Sequence, residues 1–226
     1  MSRLPAARHV LVLLGSTRPD GNSERMARIA TAGLPDATPC TWWRLAERPL
    51  PPFRDRRHEG GFGPAEGTAA ELLEATLRAT DLVLASPVYW YALPAPVKLY
   101  LDHWTAWLKQ PGLDFQGRMR GKRLWALLSD AADPGEESAD LVVEALARTA
   151  AYLDMAWMGA VVGHGSAPGD VLQDPDSGSV VSTVPSSSQW NRLPCTRNDR
   201  TILRSCRHFS MAGAGGGSGG TKSSEP

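Results

Sequence analysis

The chain has 226 residues, with 24 Lys and Arg against 24 Asp and Glu, 42% hydrophobic residues and 7% aromatics. A net charge of zero argues against a dedicated nucleic-acid or anionic-membrane binder, whose phosphate contacts need an excess of Lys and Arg. The three cysteines, Cys40, Cys195 and Cys206, lack the spacing of a zinc or redox site, no apolar run approaches the roughly 18 to 20 residues that span a bilayer, and the first run, 10–14, is too short for a signal-peptide core, so the expected location is the cytoplasm.

The elements come in a regular alternation. Residues 8–14 (RHVLVLL) form a continuous apolar run suited to a central parallel strand, buried on both faces. A helix is predicted over 22–33, with Met26, Ile29 and Ala30 on its inner face and Gly33 ending it. Residues 40–45 (CTWWRL) read as the second strand, in which Trp42 and Trp43 point to opposite faces, one into the core and one under a helix or partner. A helix over 66–79 turns Leu72, Leu73, Thr76 and Leu77 inward and leads to a third strand at 81–86 (DLVLAS).

The next helix, 95–108, carries Val97, Tyr100, Leu101, Trp104 and Leu108 on one stripe, with Lys98 and Asp102 spaced to form an exposed pair. Strand four is predicted at 121–129 (GKRLWALLS). A helix over 137–153 follows, with Leu141, Ala145, Leu146 and Thr149 in register, and strand five closes the series at 155–163 (MAWMGAVVG). Strands alternating with helices define an α/β domain, a parallel sheet covered on both faces. Ligands of such sheets sit beyond the C-terminal strand ends where the strand order reverses, which for a five-stranded order 2-1-3-4-5 lies between strands one and three.

Two loops meet there. The first, 15–25, reads GSTRPDGNSER and has neither Walker A nor G-x-G-x-x-G spacing. Ser16, Thr17, Asn22 and Ser23 offer hydroxyl and amide donors, Arg18 a charge, and the following helix its unpaired N–H groups, a cradle that suits a monophosphate. The alternative is an ordinary N-cap at Asn22 or Ser23 after an Asp20-Gly21 turn. The second loop, 86–96, reads SPVYWYALPAP, and its three consecutive aromatics Tyr89, Trp90 and Tyr91 suit a flat conjugated ligand or, alternatively, helix packing and a subunit contact.

Together, GSTRPDGNSER after strand one and SPVYWYALPAPVKLYLD after strand three resemble the flavodoxin-like NAD(P)H-dependent FMN reductase family, which includes quinone and azo reductases. The resemblance covers roughly residues 8–174. It implies that Ser16, Arg18, Asn22 and Ser23 bind the FMN phosphate, with Thr17 and Gly21 shaping the loop. It places Pro87, Val88, Tyr89, Trp90 and Tyr91 along the isoalloxazine ring, with backbone N–H groups reaching its N5 and carbonyl edge. Ser129, and Asp130 beside it, would approach the other side of the ring from SDAADPGEES, a looser match with a single glycine.

The implied reaction passes a hydride from NADPH or NADH through flavin to a small acceptor such as a quinone, azo compound, nitro compound or free flavin, in a homodimer. No side chain is assigned as nucleophile or catalytic residue. Arg18 has a second candidate role at the 2′-phosphate of NADPH, and His164, in GHGSAPGD, is a candidate to face the crevice. A flavodoxin-like electron carrier and a flavin-free regulatory domain stay open as alternatives, although the charge of −3 on residues 1–174 is modest for the first.

Composition changes after Asp174. The 52 residues of 175–226 include 11 Ser and 7 Gly and carry +3, so 1–174 is read as the flavodoxin-like domain and 175–226 as a divergent, disordered Ser/Gly-rich tail. Within it, 201–211 places Ile202, Cys206 and Phe209 at helical spacing, a candidate short docked helix. The closing helix expected soon after 168–174 (PGDVLQD) is replaced by PDSGSVVSTVPSSSQW, which has no helical stripe.

Overall fold

A computed structural model of the protein describes residues 7–132 and 138–173. β1 (Val10–Leu14) is apolar and buried at every position, so it has no face to offer water and takes the middle of the sheet. β2 (Cys40–Arg44) pairs on one side of it and β3 (Asp81–Pro87) on the other, followed by β4 (Arg123–Asp130) and β5 (Ala156–His164). All pairs are parallel and the order is β2-β1-β3-β4-β5, as the alternation of elements implied.

Period-two alternation divides the strand residues between two cores. Leu11, Leu13, Leu82, Leu84, Leu124 and Leu128 face one side, where α2 (Gly67–Arg78), α3 (Ala95–Lys109) and α5 (Asp140–Tyr152) cover them. Val12, Leu14, Val83, Ala85 and Leu127 face the other, under α1 (Asn22–Ala32). Beside α1 on that face an apolar cleft of about 90 Å³ is lined by Trp125, Met158 and Val161. The tail, the replaced closing helix and the candidate helix at 201–211 lie outside the described residues.

Three inner faces differ from the periodicity reading. In α1, Met26, Ala27 and Ala30 are buried and Ile29 is exposed, because two alanines let the helix axis approach the sheet more closely than an isoleucine would. In α5 the buried stripe is Val142, Leu146 and Ala150, while Leu141 and Ala145 face outward; the helix is apolar on two stripes, and the position of α3 chooses between them. In α3, His103 and Trp107 are buried with Val97, Tyr100 and Trp104, and Leu101 and Leu108 are only half-buried. A five-residue helix, α4 (Phe115–Met119), was not expected; Asp114 caps it by accepting from Gly117 N–H at 3.2 Å, and Phe115 and Met119 fill the core beside Trp104 and Trp107. Trp43 is buried, and Trp42 lies on the α1 side with the Arg28 guanidinium 5.5 Å from its ring centre. Lys98 and Asp102 pair at 2.5 Å on the exposed side of α3.

The N-terminal end of the sheet is locked by one buried carboxylate. Asp81 is fully buried and accepts from Arg8 at 2.7 Å, Arg123 at 2.7 Å, Thr80 at 2.7 Å and the Trp125 indole at 3.2 Å. Burial alone would raise its pKa, but the hydrogen bonds from Arg8, Arg123 and Thr80 outweigh it and hold the carboxyl below its ordinary value. A depressed native pKa adds stability that is present above the unfolded carboxyl range and lost as pH falls through the native value. Asp81→Asn leaves two arginines without their counter-charge and is expected to cost about 3 kcal/mol at neutral pH. Urea titrations should show that loss shrinking as the pH falls below the ordinary carboxyl range and through the lowered native value of Asp81; a loss that stays constant with falling pH would show that the charge of Asp81 contributes nothing.

Candidate functional site

β1 and β3 are neighbours, yet the chain leaves β1 toward α1 on one face and leaves β3 toward α3 on the other. The two loops therefore part and open a cleft at the carboxyl ends of the strands. Its base is a glycine. Gly15 N–H donates to Ala85 O at 2.8 Å, extending the ladder one residue past β1. A Cβ on Gly15 would overlap Val97 Cγ2 of α3 and come within 3.0 Å of Ser86 Oγ, so only a residue without a side chain allows β1, β3 and α3 to meet.

Beyond Gly15 the chain turns into α1. The N-cap is Gly21, which has no side chain to cap the helix, so the N–H groups of Asn22, Ser23 and Glu24 have no partner among the described residues, and Asn22 and Ser23 line the cleft. Ser16 Oγ accepts from Arg18 N–H at 3.1 Å and fixes the curl of the loop. Asp20 adopts the left-handed conformation, φ 53°, and its N–H donates to Glu24 Oε2 at 3.0 Å.

Glu24 is almost fully buried behind the loop, between Arg28 and Arg44, each at 2.7 Å. Burial pushes its carboxyl up, and the hydrogen bonds from Arg44, Arg28 and the Asp20 N–H together outweigh that and keep its pKa below the usual glutamate value. The carboxylate thus stays charged while two guanidiniums cancel its field toward the cleft. Asn22 lines the cleft with its backbone, but its amide is engaged elsewhere. It donates to Gly165 O at 2.9 Å and Ala167 O at 3.1 Å and accepts from Gly169 N–H at 2.7 Å, tying the first loop to the segment after β5.

The second loop supplies a wall. Val88 N–H donates to Ser129 O at 2.8 Å, and Tyr89 and Ala92 exchange two backbone hydrogen bonds of 3.0 Å across a two-residue turn. The central residues of that turn are Trp90 and Tyr91, with φ of 52° and 60°. Bulky residues seldom occupy this region, and each costs on the order of 1–2 kcal/mol there. Trp90 is 93% exposed and Tyr91 60% exposed. Neither lines the cleft; Tyr91 faces the groove between α3 and α5. The N–H groups of Val88, Tyr89 and Ala92 are used within the fold, whereas those of Trp90 and Tyr91 at the tip of the turn are not.

From the opposite side, β4 ends in Ser129 and Asp130, both buried. Asp130 accepts from His164 Nδ1 at 2.7 Å and from the Ser138 hydroxyl, so the last residues of β4 and β5 are joined across the rim. The cleft of about 180 Å³ brings together Ser16, Arg18, Gly21, Asn22 and Ser23 from the first loop. Pro87, Val88 and Tyr89 enter it from the second loop and Ser129 from the third. Thr17 points instead into an adjoining groove.

A family model described as the flavodoxin-like fold matches residues 8–177. The chain belongs to the flavodoxin-like fold family. Among curated relatives, it is 30% identical over 177 residues, 77% of this chain and 95% of the relative, to YwqN of Bacillus subtilis strain 168, named as a candidate NAD(P)H-dependent FMN-containing oxidoreductase. It is 27% identical over 183 residues, 71% of this chain and 86% of the relative, to an FMN-dependent NADH:quinone oxidoreductase of Bordetella parapertussis strain 12822. A solved structure of the Trp repressor binding protein from Bacillus subtilis superposes with a TM-score of 0.61 at 22% identity, covering 82% of this chain and 99% of that one.

This flavodoxin-like site also uses residues that motif reading passed over. Nothing in the loop sequence marks Gly15, because its constraint comes from Val97, more than eighty positions away in the chain. Glu24 carried a usable signal, since a glutamate three residues into a helix often reaches back to the N–H before it. Arg44 carried none, because strand two reaches the loop only in the fold. Gly15→Ala should cost about 1–3 kcal/mol by overpacking, and Val97→Ala in the same chain should recover much of it. Denaturant midpoints of the two single variants and the double variant measure the coupling; strict additivity would mean that Gly15 and Val97 do not share the same space.

Proposed function

We propose that this protein is an FMN-dependent NAD(P)H oxidoreductase that hands a hydride from a nicotinamide to a small conjugated acceptor. The observation that carries this reading is the uncapped start of α1 at the floor of the switch-point cleft. Its donor set suits a phosphate monoester, with the free N–H groups of Asn22 and Ser23, hydroxyls on Ser16 and Ser23, and the Arg18 guanidinium. The names of the curated relatives from Bacillus subtilis and Bordetella parapertussis support the same cofactor and co-substrate.

When bound, FMN supplies the redox chemistry, accepting hydride from the nicotinamide and releasing it to the acceptor. The chain's own residues position it. The first loop would hold the phosphate, its shape set in advance by Glu24, Arg44 and Asn22, so that little ordering entropy is lost on binding. Pro87, Val88 and Tyr89 on one side and Ser129 with Asp130 on the other would bracket the ring and keep water from its edge. Quinones, azo and nitro compounds and flavins fit as acceptors because each offers a flat face for stacking beside Tyr89. The supply of NAD(P)H favours a cytoplasmic location.

The same reading includes a homodimer. A groove of about 470 Å³ between α3 and α5 leaves Tyr91, Leu141 and Tyr152 at least 60% exposed, with Trp90 projecting beside it. Apolar exposure of this extent on adjoining helices is characteristic of an interface.

Purified protein titrated with FMN is expected to bind one flavin per chain, to bleach with NADPH or NADH without air, and to turn over repeatedly with a quinone. Arg18→Ala should weaken FMN binding about tenfold or more, the worth of a charge-assisted hydrogen bond. Flavin that binds but is never reduced by either nicotinamide would favour an electron carrier instead. Light scattering is expected to give a dimer, and Leu141→Asp to give a monomer; a wild-type monomer at micromolar concentration would remove the homodimer from the proposal.

A further inference from the structure

We propose that the connection between β2 and α2 forms the adenosine end of the nicotinamide site, and that its arginines select NADPH over NADH. The inference rests on the reading that the adjoining cleft holds FMN and is served by a nicotinamide dinucleotide.

The connection runs from 45 to 66 and contains no helix or strand. Loops beyond about 12–15 residues are uncommon in a compact domain unless they have a task, and this one is pinned on both sides of its 54–61 tip. Arg48 stacks 3.5 Å over the Trp43 ring, Leu50 is buried, and the Pro51 carbonyl is hydrogen-bonded by His103 at 2.8 Å. Phe53 packs against Phe62 and edge-on to His103, with ring centres 6.2 Å and 5.9 Å apart, and Ala65 N–H donates to Gln110 at 3.2 Å. The loop is therefore held against α3 at Pro51, Phe53 and Ala65, on both sides of 54–61.

Between this loop and the start of α3 runs a groove of about 700 Å³, walled by Leu50, Pro52 and Phe53 on one side and by Ala95, Pro96 and Leu99 on the other. Thr17 of the first loop also lines it, the chain neighbour of Ser16 and Arg18 in the cofactor cleft. A dinucleotide with its nicotinamide over the cleft thus has an apolar trench into which its adenine can extend.

The charge that follows Phe53 in the chain is matched to one form of that dinucleotide. Directly after Phe53 come Arg54, Arg56 and Arg57. Arg54 pairs with Glu59 at 2.7 Å and Arg57 with Asp55 at 2.5 Å, but all four side chains are at least 42% exposed, and pairs of this kind are worth little and exchange partners readily. Arg56 is exposed, and its side chain has no anionic partner among the described residues. It lies three residues from Phe53, within about 10 Å along the chain even when fully extended. A phosphate monoester carries close to two negative charges and accepts paired guanidinium donors, whereas the ribose hydroxyl in NADH offers these arginines no counter-charge. Arg18, which lines the cleft with the first loop, is then left to the cofactor phosphate.

The test uses the FMN-loaded full chain and the variants Arg56→Ser and Arg54→Ser/Arg56→Ser. For NADPH, kcat/KM should fall about tenfold to a hundredfold, mainly through KM, while the NADH value changes less than about twofold and flavin content is unchanged. Calorimetric titration gives an independent readout. Adenosine 2′,5′-bisphosphate should bind the wild type at least about tenfold more tightly than AMP, with the preference weakened by salt and abolished in the double variant. Equal binding of the two nucleotides, or an equal loss for NADPH and NADH, would overturn the proposal. Bisphosphate preference retained in a protein that no nicotinamide can reduce would instead overturn the oxidoreductase reading and leave the nucleotide groove standing.

Discussion

The missing side chain at Gly15 is the constraint on which the site depends. β1, β3 and the first turn of α3 converge at this residue, and Val97 occupies the space that any Cβ would need. Because the contact is so close, the first and second loops leave the sheet side by side before diverging to opposite faces. The cleft is the gap that this divergence leaves, and the uncapped start of α1 and the Pro87–Tyr89 wall face each other across it. Backbone sterics set the spacing, and the polar groups work within it.

Two buried carboxylates hold the ends of the sheet in similar ways. Asp81 gathers Arg8 and Arg123 at the N-terminal edge, and Glu24 gathers Arg28 and Arg44 behind the first loop. Each ion is costly to bury and is compensated by several directed hydrogen bonds, an arrangement that penalises any shift of its partners. At the N-terminal edge this secures the register of β3 and β4. Behind the loop it holds Asp20 in a left-handed turn just before the uncapped Asn22 and Ser23 that line the cleft. The second loop is held differently. Its turn forces Trp90 and Tyr91 into positive φ, and the strain is sustained by the hydrogen bonds flanking it and by the prolines that fix the entry to α3.

Most of the candidate site was legible because a parallel sheet of this order places its ligand at known strand ends, and the loops there are continuous in sequence. Ser16, Arg18, Gly21, Asn22 and Ser23 reach one cleft with Pro87, Val88, Tyr89 and Ser129 for that reason. The role of each side chain was less legible. Nothing in GSTRPDGNSER reveals that the Asn22 amide turns away to the segment after β5, since its partners are about 145 positions distant. The triplet Tyr89-Trp90-Tyr91 reads as a unit in sequence, but the turn splits it and sends only Tyr89 to the cleft. The α5 helix shows the same limit, because periodicity finds two apolar stripes and only the position of α3 decides which is buried.

By itself, the sequence determined the five strands and the four long helices of the described domain, the central place of β1 and the loops that flank the cleft, because these follow from local periodicity, strand hydrophobicity and the geometry of parallel connections. Only the tertiary structure decided what shares space with what. The contact of Gly15 with Val97, the bridge from Glu24 to Arg44, the pair formed by Asp130 and His164, and the groove between the 45–66 connection and α3 all join residues far apart in the chain. Such contacts leave no periodic trace in the sequence, since they arise from the packing of complete elements rather than from the preferences of any one of them.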